Sequence, residues 1–157
     1  MTAHFSLGVH SFHGPNHWRK VELNGRRLSQ VNGADETVVR LFALFHDVER
    51  CSEGYDPEHG RRAASLVLDL HGDVFKLADS QLEILVEACS FHNDGFTSSD
   101  LTIGTCWDAD RMDLPRVGIV PDPDLMSTDA GKQFAKYGEI VFDQWQDGTK
   151  DDRDKLI

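Results

Sequence analysis

The chain is poor in cysteine and in cationic residues, and it has no long apolar run. Its three cysteines, Cys51, Cys89 and Cys106, are scattered, odd in number and form no Cys-x-x-Cys. That argues against a disulfide framework and against a thiolate zinc site, and it fits the reducing cytosol. Lys and Arg number 16 against 27 Asp and Glu, a formal net charge of -11. Such a surface repels a phosphate backbone and an anionic membrane at long range, so neither nucleic acid nor membrane is an expected partner. An anionic small molecule stays open if cations are gathered in a pocket. No basic stretch leads into an apolar segment of signal-peptide length, and no run approaches a membrane span, so the expected location is cytoplasmic. Internal repeats, low-complexity tracts and alternating strand patterns are also missing. At 157 residues the chain is long enough for one domain with a core of its own.

What the chain does have is helical periodicity. After an irregular lead-in to Pro15, Asn16 offers an N-cap to a helix in which Trp18, Val21, Gly25 and Leu28 recur at helical spacing, ending at Asn32-Gly33. Gly25 weakens that helix and suggests a close neighbour. Asp35 can cap a second helix whose run from Val38 to Phe45 is apolar nearly all the way round, which places it mid-domain. Asp56-Pro57 reads as cap and first residue of a third helix, through Ala63, Ala64, Val67 and Leu68 to His71-Gly72. Asp79 or Ser80 caps a fourth, with Leu82, Leu85, Val86 and Cys89 on one face and Asn93-Asp94-Gly95 as its stop. Ser98-Ser99-Asp100 precedes a fifth helix running to Met112, with Pro115 limiting it. A rigid turn at 120–124 leads to a final amphipathic helix from Ser127 through Phe134, Tyr137, Ile140, Val141 and Trp145, and then a charged tail from Gln146. The expected fold is an all-α single domain, a bundle of about six helices.

The second helix ends abruptly in His46-Asp47. Burying that pair is costly unless its polarity is compensated, either by ordinary hydrogen bonding in the core or by a metal ion. Other histidines and carboxylates occupy comparable places: His17 begins the first helix, His59 the third, His92 ends the fourth, and Asp110 lies late in the fifth. In a helical bundle alternate helix ends gather at the same side.

The order His, His-Asp, His, His, Asp resembles the HD-domain superfamily of metal-dependent phosphohydrolases. The matching stretches are His17-Trp-Arg-Lys-Val21, Leu44-Phe-His-Asp-Val-Glu49, Pro57-Glu-His-Gly-Arg61, Ser90-Phe-His-Asn93 and Asp108-Ala-Asp-Arg-Met-Asp113, spread from about residue 13 to residue 116. The resemblance implies an HD-type bundle in which His17, His46, Asp47 and Asp110 hold one divalent metal. Asp108 competes with Asp110 for the last place, and Asp113 is a helix-end or partner carboxylate. It further implies that His59 and His92 add a second ion, with Asp47 bridging. Mixed imidazole and carboxylate ligands favour Mn²⁺ or Fe²⁺, with Mg²⁺, Zn²⁺, Co²⁺ and Ni²⁺ as further candidates.

Catalytic roles then fall to Asp47, to Arg50 as a phosphate contact, and to Glu49, one turn from His46, as a group that orients that histidine or binds the metal's water. His13 reads as a loop residue, His4, His10 and His71 as surface, and Arg61 and Arg62 as a solvated helix face. Arg111 is expected to pair with a buried carboxylate and Trp18 to lie in the core. The expected activity is hydrolysis of a small phosphorylated metabolite or nucleotide by a metal-activated water. A di-iron oxygenase and a catalytically silent metal-stabilised module are the alternatives. The final helix could pack on the bundle or on a second copy, forming a homodimer.

Overall fold

Cap chemistry sets where the helices begin. In the computed structural model, which describes residues 4–140, the Asp35 carboxylate accepts hydrogen bonds from the backbone N–H groups of Thr37 (2.9 Å) and Val38 (3.2 Å) and starts α2, Glu36–Phe45. Asp100 does the same for α5, Leu101–Arg111, through Thr102 and Ile103. The Thr128 hydroxyl accepts from the Gly131 N–H at 3.0 Å and starts α6, Asp129–Tyr137.

Elsewhere the starts differ from expectation. Helix α1, Pro15–Asn32, opens on Gly14, and Pro15 rather than Asn16 leads it, where a missing N–H costs nothing. Helix α3 spans His59–Leu70: Asp56 does not cap it, because its carboxylate is taken by Arg62 at 2.7 Å and by the Cys51 N–H at 3.0 Å. In α4, Asp79–Phe91, Asp79 is the first helical residue, and the Gln81 side chain reaches back to the Ala78 N–H at 3.2 Å. The last helix stops at Tyr137 because Gly138 turns left-handed at φ 76°. Ile140 therefore lies outside it, and Val141, Trp145 and the tail from Gln146 fall outside the described residues. Short 3-10 turns at Leu114–Val117 and Pro123–Leu125 complete the elements. Among the described residues there is no strand, only an isolated bridge between His71 and Phe75, and no helix is long and apolar enough to cross a membrane.

Helix α2 is the hub. Val38, Val39, Phe42, Ala43 and Phe45 are buried along it, and it packs on α1, α3, α4 and α5. The closest approach is at Gly25 of α1, where a Cβ would overlap Val39 Cγ1 and press on the Ala109 methyl. Gly25→Ala should therefore destabilise the fold by about 1–3 kcal/mol through overpacking, despite the better helix propensity of alanine. Urea unfolding measures this; an unchanged midpoint would contradict the close packing.

Helices α1 to α4 run alternately up and down, so the start of α1, the end of α2, the start of α3 and the end of α4 share one side. Helix α5 breaks the alternation. Its start lies at the opposite side, where the Asp35 N–H meets the Thr102 hydroxyl at 3.2 Å and the Asn32 amide donates to the Thr105 hydroxyl at 2.9 Å. Gln81, at the start of α4, also reaches Asp35, at 2.6 Å, so α4 and α5 run parallel. The connection between them carries the chain back along the bundle and is fixed by Arg111, which donates to the carbonyls of Phe96 and Leu125. Arg111 thus satisfies loop carbonyls rather than the buried carboxylate expected for it. The reversal delivers the end of α5, with Asp110, to the same side as the four histidines.

Candidate metal centre

At that side the six residues singled out from the sequence meet. His17 Nε2 lies 3.1 Å from His46 Nε2 and 3.1 Å from Asp110 Oδ1. Both imidazoles stand 3.6 Å from Asp47 Oδ2. His59 Nε2 and His92 Nε2 are 2.9 Å apart, and they lie 3.2 and 3.6 Å from the other oxygen, Asp47 Oδ1. The carboxylate of Asp47 therefore divides two histidine pairs, one oxygen facing each. Two groups able to hold a metal ion result, His17-His46-Asp47 and Asp47-His59-His92. Asp110 joins the first; it is the most exposed of the six, its side chain 21% accessible where that of Asp47 is 4%.

The tautomers are dictated by what lies behind each ring. His46 Nδ1 faces the carbonyls of Phe42 and Ala43 (3.2 Å each), His59 Nδ1 the carbonyl of Asp56 (2.5 Å), and His92 Nδ1 the carbonyl of Cys89 (2.8 Å). Carbonyls only accept, so each Nδ1 carries the hydrogen, and the Nε2 lone pairs point inward. His17 Nδ1 is held in the same way by Asp113 Oδ2 at 2.8 Å. Lone pairs converging at about hydrogen-bond distance repel unless a proton or a metal cation lies between them. Burial drives His46 down to about 3, even against the pull of Asp47 and Asp110, so this ring is neutral. Burial would also lower His17, but hydrogen bonds to Asp110 and Asp113 outweigh it and raise it to about 9. Burial opposes ionisation of Asp47 too. The histidines around it, His46 first and then His13, His59 and His92, outweigh that and hold it well below the usual carboxylate range.

Asp113 is thus a partner carboxylate, three residues beyond Asp110 and so one turn further along the same face. It also draws Arg116 (3.6 Å) and Lys20 (3.7 Å) towards His17. Asp113→Asn should leave the fold intact and weaken metal binding by about 10–100-fold, because the amide oxygen can still accept from Nδ1 but no longer carries the charge that polarises His17. Isothermal titration reads this, and unaltered affinity would mean that His17 is not a ligand.

Asp108 settles apart from the site. Its carboxylate is fully buried and accepts from the Ser127 N–H (2.7 Å), the Thr128 N–H (2.8 Å) and the Thr128 hydroxyl (2.7 Å), anchoring the start of α6. Glu49 does not orient His46, whose Nδ1 is committed to backbone carbonyls; Glu49 meets Arg62 through its own carbonyl, at 2.9 Å. Arg62 is correspondingly not a free solvated side chain but a clasp joining Glu49, Asp56 and Cys51, whereas Arg61 is exposed beside Asp94 and Glu58.

Arg50 reaches the site. It is 9% exposed, its Nε and Nη2 donate to the carbonyls of Ser52 (3.3 Å) and Gly54 (2.8 Å), and Nη1 stands 3.4 Å from His59 Nε2 and 3.7 Å from Asp47 Oδ1. A cleft of about 280 Å³ opens onto Arg50 and His59, with Tyr55 and Asn93 also in its wall.

His13 is the residue that sequence reasoning undervalued. It does lie in a loop, yet its Nδ1 is 2.9 Å from Asp47 Oδ2, and its carbonyl is fixed by the buried Trp18 Nε1 at 2.8 Å. The available signal was its place just before the helix that opens with His17. His4 and His10 are exposed; His71 is half-buried and accepts from the Leu77 N–H at 3.1 Å.

Comparison with protein-family models, with curated proteins and with solved structures found no match. What the donor set supports by itself is a pair of buried His/Asp groups able to hold a metal ion.

Proposed function

We propose that the protein is a metal-dependent phosphohydrolase acting on a small phosphorylated metabolite or nucleotide. One observation carries the reading: four imidazoles, each committed through Nδ1 to an acceptor behind it, turn their Nε2 atoms on one carboxylate whose two oxygens serve separate pairs. His17, His46, Asp47 and Asp110 would hold one divalent ion, and Asp47, His59 and His92 a second. Nitrogen and carboxylate donors together suit Mn²⁺ or Fe²⁺ first, with Zn²⁺, Co²⁺, Ni²⁺ and Mg²⁺ as weaker fits. Such an ion supplies an acidified water at neutral pH and neutralises charge on phosphate oxygens.

The chain's own contribution to the substrate is Arg50. Two edges of its guanidinium are fixed on loop carbonyls, and the third faces the site, so a non-bridging phosphate oxygen would meet a charge that is already oriented. This buried cation favours an anionic substrate. The modest cleft beside Arg50 favours a small substrate.

The test is a screen of the Mn²⁺-loaded protein against nucleotides and sugar phosphates. Release of phosphate from a defined subset, lost in Asp47→Asn, is the expected result. Oxygen consumption by the iron form without phosphate release would replace the reading with an oxygenase. Metal-dependent stability without turnover of any kind would replace it with a silent module.

A further inference from the structure

The two halves of the site are not electrostatically equal. His17, His46 and the carboxylates of Asp47 and Asp110 form the first half, so a divalent ion there meets two negative charges. The second half has two imidazoles and only the shared carboxylate of Asp47. It also has a permanent positive charge at its edge, since Arg50 Nη1 stands 3.4 Å from one of its donors, His59 Nε2, and 3.7 Å from another, Asp47 Oδ1. Among the described residues Asp47 is the only carboxylate within 4.0 Å of the Arg50 guanidinium, whose other contacts are the neutral carbonyls of Ser52 and Gly54. Asp56 and Asp94, which line the same cleft, are paired with Arg62 and Arg61 instead.

Once the first half holds a divalent ion, Asp47 and Asp110 are neutralised. A second divalent ion would then face Arg50 with no uncompensated anion. The missing charge has to come from outside the chain. A phosphate group entering the cleft beside Arg50 and His59 supplies it, because its oxygens can take the guanidinium and a metal ion at once.

Building on the proposed metal centre, we propose that Arg50 makes the second metal position conditional: it fills together with a phosphate-class anion and only weakly without one. The first position fills on its own. Because binding linkage is reciprocal, the second ion should tighten phosphate by the same factor by which phosphate tightens the ion.

The test uses the full chain, stripped by chelation and titrated with Mn²⁺, with and without inorganic phosphate kept below the solubility of its manganese salt. Stoichiometry is read by calorimetry, and spin coupling between paired ions by electron paramagnetic resonance. The wild type should bind one equivalent tightly and a second more than about tenfold more weakly, given a divalent ion beside a fixed charge at low effective dielectric. Phosphate should tighten the second equivalent alone and bring out the coupled signal. Arg50→Gln should bind the second equivalent without phosphate and lose most of the phosphate effect. Arg50→Lys, which disturbs the loop contacts as much but keeps the charge, should behave like the wild type. Two equal equivalents in the wild type without phosphate, or the same phosphate dependence in Arg50→Gln, would overturn the inference and leave the metal centre standing. Uptake of no metal by any of the three proteins would overturn both.

Discussion

Asp47→Ala should lose metal from both halves of the site in one step and, under the proposed phosphohydrolase reading, abolish turnover. No other ligand candidate has this reach, since His59 and His92 belong to one half and His17, His46 and Asp110 to the other. Loss of an outer partner of a metal ligand already costs about 10–100-fold, so loss of the ligand shared by both halves should cost more than that in affinity and rate alike. Stability should fall as well. Asp47 compensates the buried guanidinium of Arg50, and removing one partner of such a pair costs about 3–5 kcal/mol. Asp47→Asn keeps the volume while discarding the charge, so comparing the two variants separates lost packing from lost charge. Elemental analysis and thermal unfolding of both variants check this. Metal retained at wild-type level by either one would contradict the bridging role.

The second large effect lies two residues from a ligand and concerns the fold. Asp108→Ala removes the acceptor that, among the described residues, serves the N–H groups of Ser127 and Thr128 and the Thr128 hydroxyl that starts α6. At about 1–3 kcal/mol for each buried donor left unsatisfied, with water entering the vacated space and relieving part of it, a net loss of about 3 kcal/mol is expected. Gly131 adds to the constraint, because a Cβ there would overlap the Asp108 carboxylate. Asp110→Ala should show the converse, losing metal while keeping most of the stability. Urea unfolding and metal uptake, measured on both variants, should cross in this way. If Asp108→Ala unfolds at the wild-type midpoint, the clamp on α6 is wrong.

These neighbouring aspartates mark the limit of what the sequence makes legible. Helical periodicity places both on α5, two positions apart and so on different faces, but nothing local says which face meets the histidines. That depends on α5 running parallel to α4, a consequence of the long return through 92–100 and of Arg111 binding loop carbonyls. Helix existence was readable because the apolar spacing of α2 and the caps Asp35 and Asp100 act locally. The start of α3 departs from the cap that Asp56-Pro57 suggests because Arg62 competes for Asp56 from one turn into the helix. Helix α6 ends short of the apolar spacing because that spacing continues past Gly138, which the backbone uses as a stop.

The convergence of His17, His46, Asp47, His59, His92 and Asp110 is what the resemblance carried by their order implies; their places at helix ends alone do not establish it. The contacts that tune them follow from neither. His13 reaches Asp47 across 34 residues, and Arg50 is aimed by two carbonyls of its own loop. Glu49 does not orient His46 for a related reason: a carboxylate one turn away looks well placed, but the helix's own carbonyls already occupy His46 Nδ1.

The central claim, that the convergent Nε2 atoms and the divided carboxylate form a metal centre, is tested most directly by metal content. The chelator-stripped wild type and Asp47→Asn should each be loaded with Mn²⁺ or Fe²⁺, desalted and measured by elemental analysis. At least one tightly held equivalent in the wild type, lost in Asp47→Asn while the helical content is kept, is the predicted result. A folded wild type that retains no metal after loading would contradict it.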